Sequence, residues 1–127
     1  MIVRTLDDVK TRGSYGEKPG FWSSARYLLR DDNVGFTLTQ TSVSAGQAQE
    51  MHYRNHVEAN LVIDGEGYLT DLATREVYRL RPGSMYTLDK HDRRRLSALS
   101  DTRIVCVFTP ALVGTETNDA DGSYSIL

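Results

Sequence analysis

The sequence predicts an all-β domain, an antiparallel sandwich or small barrel. Short runs of β-branched, aromatic and aliphatic residues recur along the chain, separated by Gly, Pro, Asp or Ser. Their spacing is regular, as in sandwiches and barrels. A single stretch, 6–12, reads as helix. With 127 residues, 39% of them apolar, the chain has the size of one domain, 1–127, around one core.

Each element has its own signal. In 21–29, Trp22, Ser24 and Arg26 alternate and share one face. The run 35–43 carries Phe36, Thr37, Leu38, Thr39 and Thr41, with Thr39 and Thr41 on one face. In 57–63, Glu58, Asn60 and Val62 face one way, and Val57, Ala59, Leu61 and Ile63 the other. Asp64-Gly65-Glu66-Gly67 follows, then the run 68–72. An Asp-Gly between two such runs is a hairpin signal. Shorter runs occupy 76–80, 84–88 and 96–99. In the last strand, 103–109, Ile104, Cys106 and Phe108 share a face. The tail from 114 is polar apart from its tip, and no repeat or linker interrupts the chain.

Bulk properties exclude several classes. The 15 basic and 17 acidic residues leave a net charge of −2, which offers no electrostatic case for nucleic acid. Arg93-Arg94-Arg95 reads as the solvated start of a strand, unless one of the three points inward. The single cysteine, Cys106, permits no internal disulfide and lies in an apolar run, where burial is the default. The N-terminal stretch MIVRTLDDVK lacks the apolar core of a signal peptide, and no run approaches the length that spans a bilayer. The expectation is a soluble cytoplasmic protein that does not engage a membrane.

All three histidines, His52, His56 and His91, fall between Gly46 and Asp92, together with Tyr53, Glu58 and Tyr86. Imidazole, carboxylate and phenol are the groups that ligate metals or move protons near neutral pH. Any one histidine near a turn is more often a surface group. Glu58 is harder to dismiss: a carboxylate between Val57 and Ala59 in an apolar strand needs a partner if buried.

Gly46, five residues, His52, then Glu58, six residues, Gly65, resembles the first motif of the cupin superfamily, with Arg54 in place of its second histidine. Pro82-Gly83, two residues, Tyr86 resembles the second motif, with Tyr86 where a histidine usually stands. FWSSARYLLRDDNVGF, HYRNHVEA, IDGEG, RPGSMYTLDKHD, VCVFTPALVGTE and DGSY are similar to the ectoine synthase family, in its order and over nearly the whole chain. The resemblance implies a small cupin-type, jelly-roll-like β-barrel. It implies a homodimer containing a divalent metal, usually iron. It implies a cyclodehydratase, a carbon–oxygen lyase that closes N-γ-acetyl-2,4-diaminobutyrate to the cyclic amidine ectoine, a compatible solute, with loss of water.

Carried over by position, the metal ligands include Glu58 and Tyr86. A third ligand position, normally histidine, is Arg94 here, and arginine offers a cation no lone pair. Asn118 is a second departure from a common histidine. His52 or His91 would have to substitute. Tyr53, His56 and Glu116 match positions assigned to catalysis. Trp22, Arg26, Thr41, Cys106 and Phe108 match positions assigned to the substrate. Two readings follow. One is an ectoine synthase with a substituted metal site. The other is a divergent, metal-free cupin in which Arg94 binds a different small carboxylate or pairs with Glu58.

Overall fold

The computed structural model describes residues 1–115. Helix α1, Leu6–Thr11, starts at Thr5, whose hydroxyl accepts from the Asp8 N–H at 3.2 Å while the Asp8 carboxylate accepts from the Thr5 N–H at 2.8 Å. This reciprocal cap satisfies two donors that a helix start leaves open. Ten strands follow: β1 (Tyr15–Lys18), β2 (Trp22–Leu28), β3 (Thr37–Val43), β4 (Ala48–His52), β5 (Val57–Asp64), β6 (Gly67–Asp71), β7 (Val77–Leu80), β8 (Met85–Leu88), β9 (Arg93–Ala98) and β10 (Thr102–Thr109). The pairings are antiparallel and form a six-stranded sheet, β1-β2-β3-β10-β5-β8, and a four-stranded sheet, β4-β9-β6-β7.

The two sheets enclose one apolar cluster, with Val62, Leu88, Ile104 and Phe108 from the large sheet and Leu69, Leu80, Leu96 and Ala98 from the small one. Strand alternation places them there. In β5, Glu58, Asn60 and Val62 are buried while Leu61 and Ile63 are exposed, as the residue pattern predicts. In β10, Thr102, Ile104, Cys106 and Phe108 are buried together.

Two expectations are corrected. The Asp-Gly signal does not mark a hairpin, because β5 pairs with β10 and β8, and β6 pairs with β7 and β9. The chain instead leaves one sheet and enters the other at Gly65. That residue has φ +84°, and a Cβ on it would lie 2.2 Å from the Asp101 carbonyl oxygen. A tight turn between strands looks the same in sequence whether the second strand folds back beside the first or crosses the core. The second correction concerns β9, which begins at Arg93 rather than at 96. Alternation then exposes Arg93 and Arg95 and turns Arg94 inward.

Candidate active site

The inner face of the large sheet is organised by register. Arg26 stands opposite Thr39, Thr39 opposite Cys106, Cys106 opposite Asn60, and Asn60 opposite Tyr86. This row crosses five strands on a single face. Ser24, Thr41 and Ile104 form the next row. Across from them, the small sheet contributes Gln49 and Met51 from β4, paired with Leu96 and Arg94 of β9. Between the sheets lies a cavity of about 370 Å³ lined by these residues with Trp22, Tyr53, Glu58, Phe108 and Leu112. Its size and mixed lining suit a small polar metabolite.

Of the positions singled out in the sequence, Trp22, Arg26, Thr41, Tyr53, Glu58, Tyr86, Arg94, Cys106 and Phe108 all line this cavity. Trp22, 39% exposed, sits at its mouth. His56 is buried but stands behind the wall, edge-on to Phe108 with ring centroids 6.4 Å apart. His52 and His91 do not line the cavity. In β4, Gln49 and Met51 take the inward positions, so His52 falls on the opposite parity. His91 lies in the turn after β8, with φ 55° and its Nδ1 2.8 Å from the Tyr53 carbonyl oxygen. Neither is placed to stand in for the missing ligand. Glu116 and Asn118 lie outside the described residues.

The cavity's dominant feature is an ion pair that spans the two sheets. Arg94 Nη2 donates to Glu58 Oε1 at 3.2 Å. Arg94 is 5% exposed and Glu58 2%. Among the described residues, Arg94 Nε and Nη1 and Glu58 Oε2 find no hydrogen-bond partner. The guanidinium carbon also lies 5.6 Å from the Tyr53 ring centroid and 6.0 Å from that of Tyr86. Tyr53 packs edge-on against Phe108 at 5.5 Å, which fixes its ring at the cavity wall.

These surroundings set the charge states. Burial opposes the Arg94 charge, but Glu58, Tyr86 and Tyr53 favour it, and the balance raises its pKa above the ordinary value. Burial, with Glu58 adding to it against Arg94, holds the Tyr86 phenol well above its usual value and therefore neutral. Burial first, then Glu58, pushes the Cys106 thiol up to about 12, so it is a neutral wall group rather than a nucleophile.

A divalent metal needs several anionic or lone-pair donors converging on one point. Among the described residues no three of His, Cys, Asp and Glu come together in this way. Glu58 is engaged by the permanent cation of Arg94, which offers no lone pair and would repel a second cation at that point. Among the described residues, the donors at this point do not fit a metal ion.

Several lining residues carry no strong sequence signal of their own. Asn60 and Thr39 follow from strand parity with Glu58 and Thr41. Gln49 and Met51 do not, because 48–52 (AQEMH) lacks the β-branched residues that mark a strand.

Comparison with known proteins agrees with the geometry. The family model described as Ectoine synthase matches residues 1–127. The L-ectoine synthase of Oceanobacillus iheyensis is 46% identical over 127 residues, covering 100% of this chain and 98% of that protein. The crystal structure of the ectoine synthase from P. lautus superposes with a TM-score of 0.87 at 40% identity, covering 100% of this chain and 91% of that one. An RmlC-like cupin from Shewanella frigidimarina shares the fold alone, with a TM-score of 0.64, 15% identity, and coverage of 76% of this chain and 83% of that one.

Proposed function

Because the chain belongs to the ectoine synthase family, we propose that the cavity between its sheets is where N-γ-acetyl-2,4-diaminobutyrate closes to ectoine with loss of water. The enzyme is a carbon–oxygen lyase of the hydro-lyase type. The observation that carries the assignment is the full-length identity to an L-ectoine synthase, joined to a pocket of metabolite size in which the matching positions converge. It favours this reaction over a divergent cupin acting on another carboxylate.

The residues divide the work by chemistry. The substrate's carboxylate needs a cation, and Arg26, on the cavity wall, supplies one. Trp22 at the mouth and Phe108 deeper in give apolar walls. Thr41 and Cys106 shape the pocket without charge. Tyr53 faces the cavity and is the direct candidate for proton transfer; His56, behind Phe108, serves from a second layer. Glu116 keeps its role by resemblance. The divalent metal, iron by resemblance, finds no fitting donor set among the described residues.

A homodimer belongs to the same reading. Leu61, Ile63 and Met85 are exposed on the outer face of β5 and β8, and Ile2 and Val3 are exposed at the N-terminus, so apolar surface is available for a second copy. A cytoplasmic place and a part in osmotic-stress tolerance complete it. Among the described residues no helix is long and apolar enough to cross a membrane.

The test is direct. Purified protein incubated with N-γ-acetyl-2,4-diaminobutyrate should form ectoine, followed by NMR. Absence of product at high enzyme concentration, before and after adding divalent metals, would overturn the assignment.

A further inference from the structure

We infer that Arg94 and Glu58 form an amide clamp: the guanidinium holds the substrate's amide oxygen as it becomes an oxyanion, and the carboxylate holds the amide nitrogen side. This rests on the ectoine-forming reaction proposed above and names the groups that activate its reacting centre.

The starting point is an incomplete ion pair. One hydrogen bond joins the two side chains, Arg94 Nη2 to Glu58 Oε1. Two guanidinium nitrogens, Nε and Nη1, and one carboxylate oxygen, Oε2, are buried with no partner among the described residues. Both side chains line the cavity. Buried polar groups without partners are rare and costly, and three on one pair mark a place made for a ligand.

The ligand's chemistry follows from the unmet bonds. The pair offers N–H donors beside an acceptor oxygen. A carboxylate would satisfy Arg94 but set a negative charge against Glu58. An ammonium would satisfy Glu58 but face Arg94. A neutral amide carries an acceptor oxygen and an N–H donor on one planar unit and satisfies both. The substrate has an amide at the carbon that reacts.

The same arrangement favours the reaction over the bound state. The free amine nitrogen attacks the amide carbon; the new C–N bond forms, and the C=O π electrons move to oxygen. A guanidinium binds that oxyanion more strongly than the neutral carbonyl. The nitrogen gives up a proton, the oxygen takes up two in turn (that one and the one the substrate's ammonium shed on becoming the free amine), and the C–O bond breaks with its electron pair to release water. The two nitrogens then share a positive charge on the amidinium, and Glu58 faces it. Arginine stays protonated, so Arg94 holds the oxygen but does not protonate it. Those protons pass through another group, and Tyr53, whose ring lies against the guanidinium, is at hand. The reaction consumes no oxidant or reductant, and a fixed organic cation performs the electrophilic task.

The decisive probe is 4-acetamidobutyrate, which has the amide and the carboxylate but no amine to cyclise. In the full-length parent protein, its addition should shift the Arg94 Nε–H resonance, whereas butyrate at the same concentration should not. Relative to the parent, binding of the probe should weaken at least tenfold in Arg94→Gln. Arg94→Lys and the double variant Glu58→Gln/Arg94→Gln, which leaves no lone buried charge, should behave likewise if the single variant folds poorly. Ectoine formation by the parent should survive exhaustive chelation, and its kcat should fall about 10²- to 10³-fold in Arg94→Gln with a smaller change in KM. An unmoved Nε–H resonance, probe binding unchanged in the variants, or turnover abolished by chelation and restored by iron would each overturn the clamp. A parent that binds the probe through Arg94 yet makes no ectoine would overturn the assigned reaction and leave the clamp standing.

Discussion

Arg94 in β9 and Glu58 in β5, 36 positions apart in the chain, meet at 3.2 Å across the gap between the two sheets. The contact ties the walls of the cavity together and decides the charge inside it. Removing one member of a buried pair strands the other, which typically costs about 3–5 kcal/mol. Glu58→Gln and Arg94→Met should each destabilise the protein by an amount of that order. The double variant should lose less than the sum. Urea unfolding of the four proteins gives the coupling, and additive losses would mean the two charges do not support each other.

Tyr53→Phe removes one hydroxyl and keeps the ring that packs edge-on against Phe108. Turnover should fall about 10²-fold, the usual scale for a lost proton-transfer group. The melting temperature should stay close to the parent's. Near-parental kcat in this variant would remove Tyr53 from the chemistry.

Asp32 gives a pH signature far from the cavity. Its carboxylate accepts from Arg4 Nη2 at 2.6 Å, Arg4 Nη1 at 3.0 Å and the Leu29 N–H at 2.9 Å. The hydrogen bonds from Arg4 outweigh burial and lower its pKa to about 2. A depressed carboxylate stabilises the fold fully above its unfolded value, near 4, and loses that contribution as pH falls through the folded value. Asp32→Asn should cost about 2 kcal/mol at neutral pH. The gap between variant and parent should close between about pH 4 and pH 2. Denaturation at several pH values measures it, and a gap that widens towards acid would contradict the sign.

Gly65→Ala meets two obstacles at the turn between sheets. Its φ of +84° is unfavourable for a side chain, and the new Cβ would lie 2.2 Å from the Asp101 oxygen and 2.7 Å from the Thr102 Cα. Both neighbours are backbone and cannot swing away. The loss should be at least about 2 kcal/mol. Calorimetry should show a clear drop in melting temperature, and a neutral substitution would mean the turn adjusts freely.

Cys106 should resist thiol reagents. Burial pushes its pKa up to about 12, so almost no thiolate exists at pH 8. The folded protein should react with an aromatic disulfide reagent far more slowly than the denatured chain. Rapid labelling of the native protein would place the thiol in a more open setting than the cavity wall.

The sequence alone determined what depends on neighbours along the chain. Side chains alternate across a strand, so the shared face of Glu58, Asn60 and Val62, and that of Ile104, Cys106 and Phe108, could be read directly from residue order. The same locality made the Asp64-Gly65 turn visible and left its outcome open. Whether the chain folds back or crosses to the other sheet depends on which strand edges are free, and that is a property of the whole. Ala48–His52 was invisible as a strand because its residues lack β preference and hold their place through pairing with β9. The arginine run shows the division most plainly. Its composition reads as a solvated surface, and only the register of β9 against β4 and β6 turns the middle arginine inward. Only the packing of one sheet on the other then brings Arg94 to Glu58, because a contact between distant positions forms when the core closes and leaves no local mark in the sequence.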